Sequence, residues 1–310
     1  MVNFPRCNFR GASPLTPLRF FPPTLNPTSL SFRLDRFEMK FVITREQREA
    51  LEKDSMPRLT PDENAVDGAF YPIVSVYYDT PDRACYWEKE EGYQNRRKMR
   101  TRVYGSLDGK VPPTVFVEIK HKCDGRGVKR RLLCTLDEAY TVAAGGEIAL
   151  REQILDRMLI DEIHSLVKER GFQPCCAMRY DRHAFADRDP ESDLRVTFDT
   201  GIAYRFDKLD VVPDDRDFNR FLLPDGYSVM EVKVTGSVPF WLAEMIGRHH
   251  CILQSHSKYN NALEDGDPVL HEQIGGRVIK HHYGLTPDSI AKNRVNVAPD
   301  FDAPRIARAS

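Results

Sequence analysis

Residues 98–104, KMRTRVY, alternate Lys98, Arg100 and Arg102 with Met99, Thr101 and Val103. In an extended chain successive side chains point to opposite faces, so this stretch has one cationic face and one covered face. A guanidinium offers a planar fork to two phosphate oxygens, and an ammonium offers a compact point charge. Three such groups in register imply an anion to face. The same grammar recurs along the chain. RFEMKFVI sets Arg36, Glu38 and Lys40 against Phe37, Met39 and Phe41, and VFVEIKHK sets Glu118, Lys120 and Lys122 against Val117, Ile119 and His121. GVKRRLL aligns Lys129 with Arg131, RVTFDTG aligns Arg195, Thr197 and Asp199, and VMEVKVTG aligns Glu231 with Lys233. For any single segment a solvated outer face explains the charges. A shared pattern over many segments favours a common destination, an enclosed polar lumen made by curling the sheet. Cations crowded there lose hydration and repel one another, so they need an anionic ligand.

The elements that must position these groups follow from the same pattern. The alternating segments read as strands, with CDGRG as a turn between two of them. Helices are expected at TREQREALEKD, at EIALREQILDRMLIDEIHSLVKERG and at SVPFWLAEMIGRHH. The fold class is therefore α+β, an antiparallel β-barrel with helices packed on its outside. The chain has 310 residues, 41% of them hydrophobic, enough for a proper core. A net charge of -1 excludes a generally basic protein that coats nucleic acid, so no nucleic-acid partner is expected and any cationic site is local. The balancing acids cluster in DRDPESD at 187–193 and DKLDVVPDDRD at 207–217, which read as exterior loops. Seven cysteines without CxxC spacing fit reduced thiols in a cytoplasmic protein. No apolar run approaches the length of about 20 residues needed to cross a bilayer. Residues 1–35, rich in Pro and without periodicity, are expected to form a disordered leader, and 266–310 a loosely packed C-terminal extension.

RFEMKF, YYDT, KMRTRVYG, VFVEIKHK, GVKRRL, RYDRHAF, VMEVKV and SKY, in this order over residues 36–265, resemble the VTC domain. This is the polyphosphate polymerase module of the vacuolar transporter chaperone family, within the triphosphate tunnel or CYTH-like superfamily. The resemblance implies an antiparallel barrel with a charged tunnel, and a divalent metal, Mn or Mg, that assists transfer of the ATP γ-phosphate to a growing polyphosphate chain. It implies phosphate-binding roles for Lys40, Arg100, Arg102, Lys120, Lys129, Arg182 and Lys258, with Tyr180 beside Arg182, and a metal-binding role for Glu231. Of these, Arg100, Arg102, Lys120, Arg182 and Lys258 are expected at the reacting phosphates. Strand parity adds Lys98, Lys122, Arg131 and Lys233 to the substrate-binding set. Glu118 is the second metal candidate, although it, like Glu38, is equally well explained as an ion-pair partner of neighbouring cations. Relatives with membrane helices leave room for a membrane-protein partner.

Arg36 stands where triphosphatases of the superfamily carry the first acid of ExExK, which favours more phosphate over a two-acid metal site. Two other outcomes stay open: a tunnel triphosphatase or nucleotidyl cyclase, and a non-catalytic polyanion-binding module. His249, His250, Trp87 and Trp241 read as structural residues.

Overall fold

The computed structural model describes residues 36–55, 57–62, 70–105, 114–124, 126–213 and 215–275. The expected leader, the side chain of Arg36 and the part of the C-terminal extension beyond 275 lie outside the described residues. Strand β1 (Arg36–Thr44) runs into helix α1 (Arg45–Ser55), followed by β2 (Leu59–Pro61), β3 (Tyr71–Asp79), α2 (Ala84–Glu90) and β4 (Asn95–Tyr104). A hairpin of β5 (Thr114–Cys123) and β6 (Arg126–Cys134) precedes α3 (Leu136–Ala143) and α4 (Ile154–Lys168). The long β7 (Gln173–Asp187), β8 (Arg195–Arg205), β9 (Arg220–Phe221) and β10 (Tyr227–Thr235) then lead to α5 (Phe240–Arg248), α6 (Lys258–Gly266) and α7 (Pro268–Gln273). The strands form one antiparallel sheet of order β1-β10-β8-β7-β3-β4-β5-β6, with β2 on β7 and β9 on β8.

The covered faces lie where period-two alternation puts them. Phe41, Ile43, Phe198, Met230 and Val232 pack with Leu51 of α1 and with Leu242 and Met245 of α5. Met99, Val117, Ile119 and Leu132 join a second core with Ala139 and Val142 of α3 and Leu159 and Ile163 of α4. Between β5 and β6, Asp124 adopts a positive φ of 49°, which the first residue of a tight two-residue hairpin turn requires.

Among the described residues no strand pairing joins β1 to β6, so the ladder does not close. The sheet nevertheless curls strongly. Lys120 of β5 reaches Glu38 of β1 at 3.3 Å, whereas six strand steps in a flat sheet would separate their strands by about 29 Å. The polar sides of the sheet's two halves therefore face each other across a concavity.

One expectation about an element needs correcting. The long helix expected from Glu147 begins only at Ile154. Residues 147–150 lack regular structure, and Arg157 Nη1 donates to the carbonyls of Arg151 and Glu152, holding the chain just before the helix in a non-helical path. Past residue 265 the described chain continues into α7, where Leu270 is buried and Asp267 receives Arg83 Nε at 2.6 Å. No helix among the described residues is long and apolar enough to cross a membrane.

Candidate functional site

One wall of the concavity comes from β4, β5 and β6. Cross-strand pairing puts Lys98 opposite Lys120, Arg100 opposite Glu118 and Arg102 opposite Phe116, and then Lys120 opposite Lys129 and Glu118 opposite Arg131. Directly opposed residues share a face, so the alternating cations form a single surface. Glu118, only 1% exposed, anchors it: Arg100 Nη2 lies 2.6 Å away and Lys129 Nζ 3.3 Å away. Arg100 also donates to the Tyr77 hydroxyl at 3.1 Å. Lys98 donates to Asn260 Oδ1 at 2.5 Å and lies over the Tyr259 ring. Lys122 is exposed on the same strand face.

The opposite wall comes from β1, β10, β8 and β7. Glu231 is contacted by Lys233 at 3.0 Å, Lys258 at 3.3 Å and Lys40 at 3.7 Å. Arg182 grips Asp199 through two hydrogen bonds of 2.7 and 2.8 Å, and Lys258 meets the same carboxylate at 2.6 Å. Lys258 is the first residue of α6, whose Ser257 cap accepts from the Asn260 amide. An ammonium and the positive end of a helix thus arrive together. Tyr180, fully buried, joins the walls: Arg102, Arg182 and Lys258 lie 5.8, 5.4 and 5.0 Å from its ring centre. Arg102, 3% exposed, donates through Nε to Ser75 at 2.9 Å, but its Nη2 has no hydrogen-bond partner among the described residues.

The field of these cations sets the protonation states. Burial would raise the Glu38 carboxyl, yet Lys233, Lys40 and Lys120 outweigh it and bring it down to about 2. Burial likewise opposes ionisation of Glu231 and Glu118; Lys233, Lys258 and Lys40 hold the first well below the usual carboxylate range, and Arg100, Arg102 and Lys129 hold the second there. Burial lowers the Lys98 ammonium to about 8. Burial would raise the Tyr104 phenol, but Arg102 and Arg100 together outweigh it and bring the phenol down to about 8. Burial would lower Lys258, but Asp199 and Glu231 raise it.

The structure gathers Lys40, Arg182, Lys233, Lys258, Tyr180 and Glu231 on one side, and Lys98, Arg100, Arg102, Lys120, Lys129, Arg131 and Glu118 on the other. Glu118 does not share its cations with Glu231. Glu38 does, since Lys40 lies 3.2 Å from Glu38 and 3.7 Å from Glu231. Among the described residues no group of three or more His, Cys, Asp and Glu side chains forms a metal cage. Glu231 with Glu38 still fits a hard divalent ion of the Mg2+ kind, which is commonly held by one or two carboxylates plus water and substrate phosphate. Asp199, Tyr77, Ser75 and Asn260 stand outside the set that the sequence singles out. Asp199 carries a signal all the same, its place on the polar face of RVTFDTG.

Among solved structures, a proposed adenylate cyclase from Bacillus halodurans is similar with a TM-score of 0.41 and 9% identity, over 72% of this chain and 94% of that one. A proposed adenylyl cyclase from Hippeastrum, described as having a dominant triphosphatase activity, gives 0.42 and 12% over 79% of this chain and 100% of that one. No curated protein sequence matches significantly. The VTC domain family model matches residues 35–265. That match runs from the first strand to the helix that carries Lys258, and on its extent this chain belongs to the VTC domain family.

Proposed function

We propose that this chain is a metal-dependent polyphosphate polymerase that transfers the γ-phosphate of ATP to a growing polyphosphate chain, with residues 36–265 as its catalytic unit. The observation that carries this reading is the convergence of Arg102, Arg182 and Lys258 on Tyr180, with a buried guanidinium nitrogen of Arg102 still lacking a hydrogen-bond partner among the described residues. A buried unsatisfied donor is costly, and a phosphate oxygen would satisfy it.

Phosphoryl transfer passes through a loose transition state whose charge sits on oxygens, so catalysis is mostly positioning and neutralisation. The terminal phosphate of the chain is already anionic, so attack needs no general base. In this reading Arg100, Arg102, Lys120, Arg182 and Lys258 contact the reacting phosphates. Lys40, Lys98, Lys122, Lys129, Arg131, Tyr180 and Lys233 hold the rest of the substrate and product. Glu231, with Glu38 or Glu118, would hold Mn or Mg, which supplies further neutralisation of phosphate oxygens.

Incubating the protein with ATP and Mn2+ and resolving the products by size tests the proposal. A ladder of phosphate polymers is the expected result. Free phosphate alone would mean a triphosphatase and a cyclic nucleotide would mean a cyclase. Tight polyphosphate binding without turnover would mean a binding module. Any of these three overturns the polymerase reading.

A further inference from the structure

Leu133 breaks the rule of its own strand face. It pairs with Phe116 and shares strand parity with Arg131 and Lys129, which puts it on the polar side of the sheet, yet it is an aliphatic side chain 60% exposed. The outward side of the same strand is filled in the ordinary way by the buried Leu132. Phe116, half-buried, stands between Leu133 and Arg102 in the pairing. The Tyr104 ring meets Phe116 edge-on with centroids 6.0 Å apart, and the Arg131 guanidinium lies 4.7 Å over the Phe116 ring. From this apolar step the path continues without a gap, because Arg102 lies 5.8 Å from the Tyr104 ring and 5.8 Å from the Tyr180 ring, beside Arg182 and Lys258.

A face that served only a bare polyanion would gain nothing from an exposed leucine next to an aromatic ring, since apolar surface offers phosphate oxygens no hydrogen bonds. The combination suits a planar ring tethered to phosphates. Aromatic side chains stack with nucleobases through π-faces that all bases share, and an arginine plane can stack as well. We infer that Phe116, Leu133 and Arg131 seat the nucleobase of a nucleoside triphosphate donor, with its phosphates running past Arg102 toward Arg182 and Lys258. The inference rests on the phosphate-transfer reading and deepens it, because it separates the nucleotide donor from inorganic polyphosphate, which would use the same cations without the platform.

Calorimetric titration with ATP and with inorganic triphosphate, on the unaltered protein, Phe116→Leu and Leu133→Ser, tests it. Loss of the ring at Phe116 should weaken ATP binding about tenfold, in line with base–aromatic stacking elsewhere, and leave triphosphate binding unchanged. Leu133→Ser should act in the same direction; its exposure keeps the fold intact even if Phe116→Leu loosens the hairpin. If both variants bind ATP normally, or lose ATP and triphosphate equally, the platform is not a nucleobase seat. If the unaltered protein binds neither ligand, the phosphate reading fails and the platform goes with it, an outcome distinct from the other two.

Discussion

At the scale of single residues the site is defined by charge that two groups can switch off. Lys98 and Tyr104 both titrate near pH 8, one losing a positive charge and the other gaining a negative one. Raising the pH through this range therefore weakens the face twice. Triphosphate affinity should fall between about pH 7 and pH 9, and combining Lys98→Gln with Tyr104→Phe should flatten that profile. A flat profile in the unaltered protein would remove both groups from the ligand's surroundings. The stability effect of Lys98 has the opposite sense. Its folded value lies below the ordinary lysine value of 10.5, so the folded protein releases this proton first and Lys98 favours folding increasingly as pH climbs from about 8 toward 10.5.

Arg102 and Arg97 give a paired test of strand parity. Arg102→Ala should lower kcat/KM at least tenfold, about 1.4 kcal/mol of transition-state stabilisation, and Arg102→Lys should recover only part of it because the fork is lost. Arg97 points to the other side, where it meets Glu162 of α4 at 2.8 Å beside Arg130. Removing this half-exposed pair should cost at most about 1 kcal/mol of stability and leave kcat/KM alone. Equal damage to kcat/KM from Arg97→Ala in a folded protein would sink the assignment of the catalytic face.

At the scale of elements, β1, β4, β5, β6, β8 and β10 are legible in the sequence, whereas β3 and most of β7, buried on both faces, and α6 are not. The legible strands separate an apolar face from a polar one, so the order of residue types in KMRTRVY or VMEVKVT is enough to reveal the alternation. In α6 the buried residues are Lys258, Tyr259, Asn260, Asn261, Ala262 and Leu263, because the helix packs partly against the polar concavity. Its apolar stripe is only Tyr259, Ala262 and Leu263, too short to stand out in the sequence beside polar side chains that are buried as deeply. The full role of Asp199 is hidden on similar grounds: Arg182 is its directly opposed partner on the neighbouring strand β7, but Lys258 is far away in sequence, and only the placement of α6 brings it to the same carboxylate. What fixes α6 is a buried polar contact. The Tyr259 hydroxyl donates to Asp79 Oδ2 at 2.5 Å, while its ring stacks on Tyr77. Tyr259→Phe would leave that carboxylate oxygen without its donor and should cost about 1–3 kcal/mol of stability. It should also lower kcat, since Lys258 is the adjacent residue on the loosened turn. Unchanged melting and turnover in this variant would mean that α6 is held by other contacts.

At the scale of the whole molecule, the net charge of -1 hides a strong separation of charge. The acidic loops at 187–193 and 207–217 contain the exposed Asp189 and Glu191 and outward pairs such as Lys208 with Asp217. The concavity holds Glu38, Glu118, Asp199 and Glu231 against a larger set of lysines and arginines on both walls and α6. An empty site of this kind keeps like charges close together, and folding must tolerate their repulsion and lost hydration. An anion that binds only the folded state relieves this strain and stabilises the fold through linkage. At a hundredfold excess over its Kd, triphosphate should add about 2.7 kcal/mol, seen as a rise in Tm of about 5–10 °C for a domain of this size. The gain should shrink as salt shortens the range of the charges, and sulfate at equal ionic strength should give much less, since one compact anion cannot reach cations on both walls. If triphosphate at low salt raised Tm no more than sulfate does, the cations would not be arranged for a chain of phosphates, and the concavity would be a surface of ion pairs rather than a binding site.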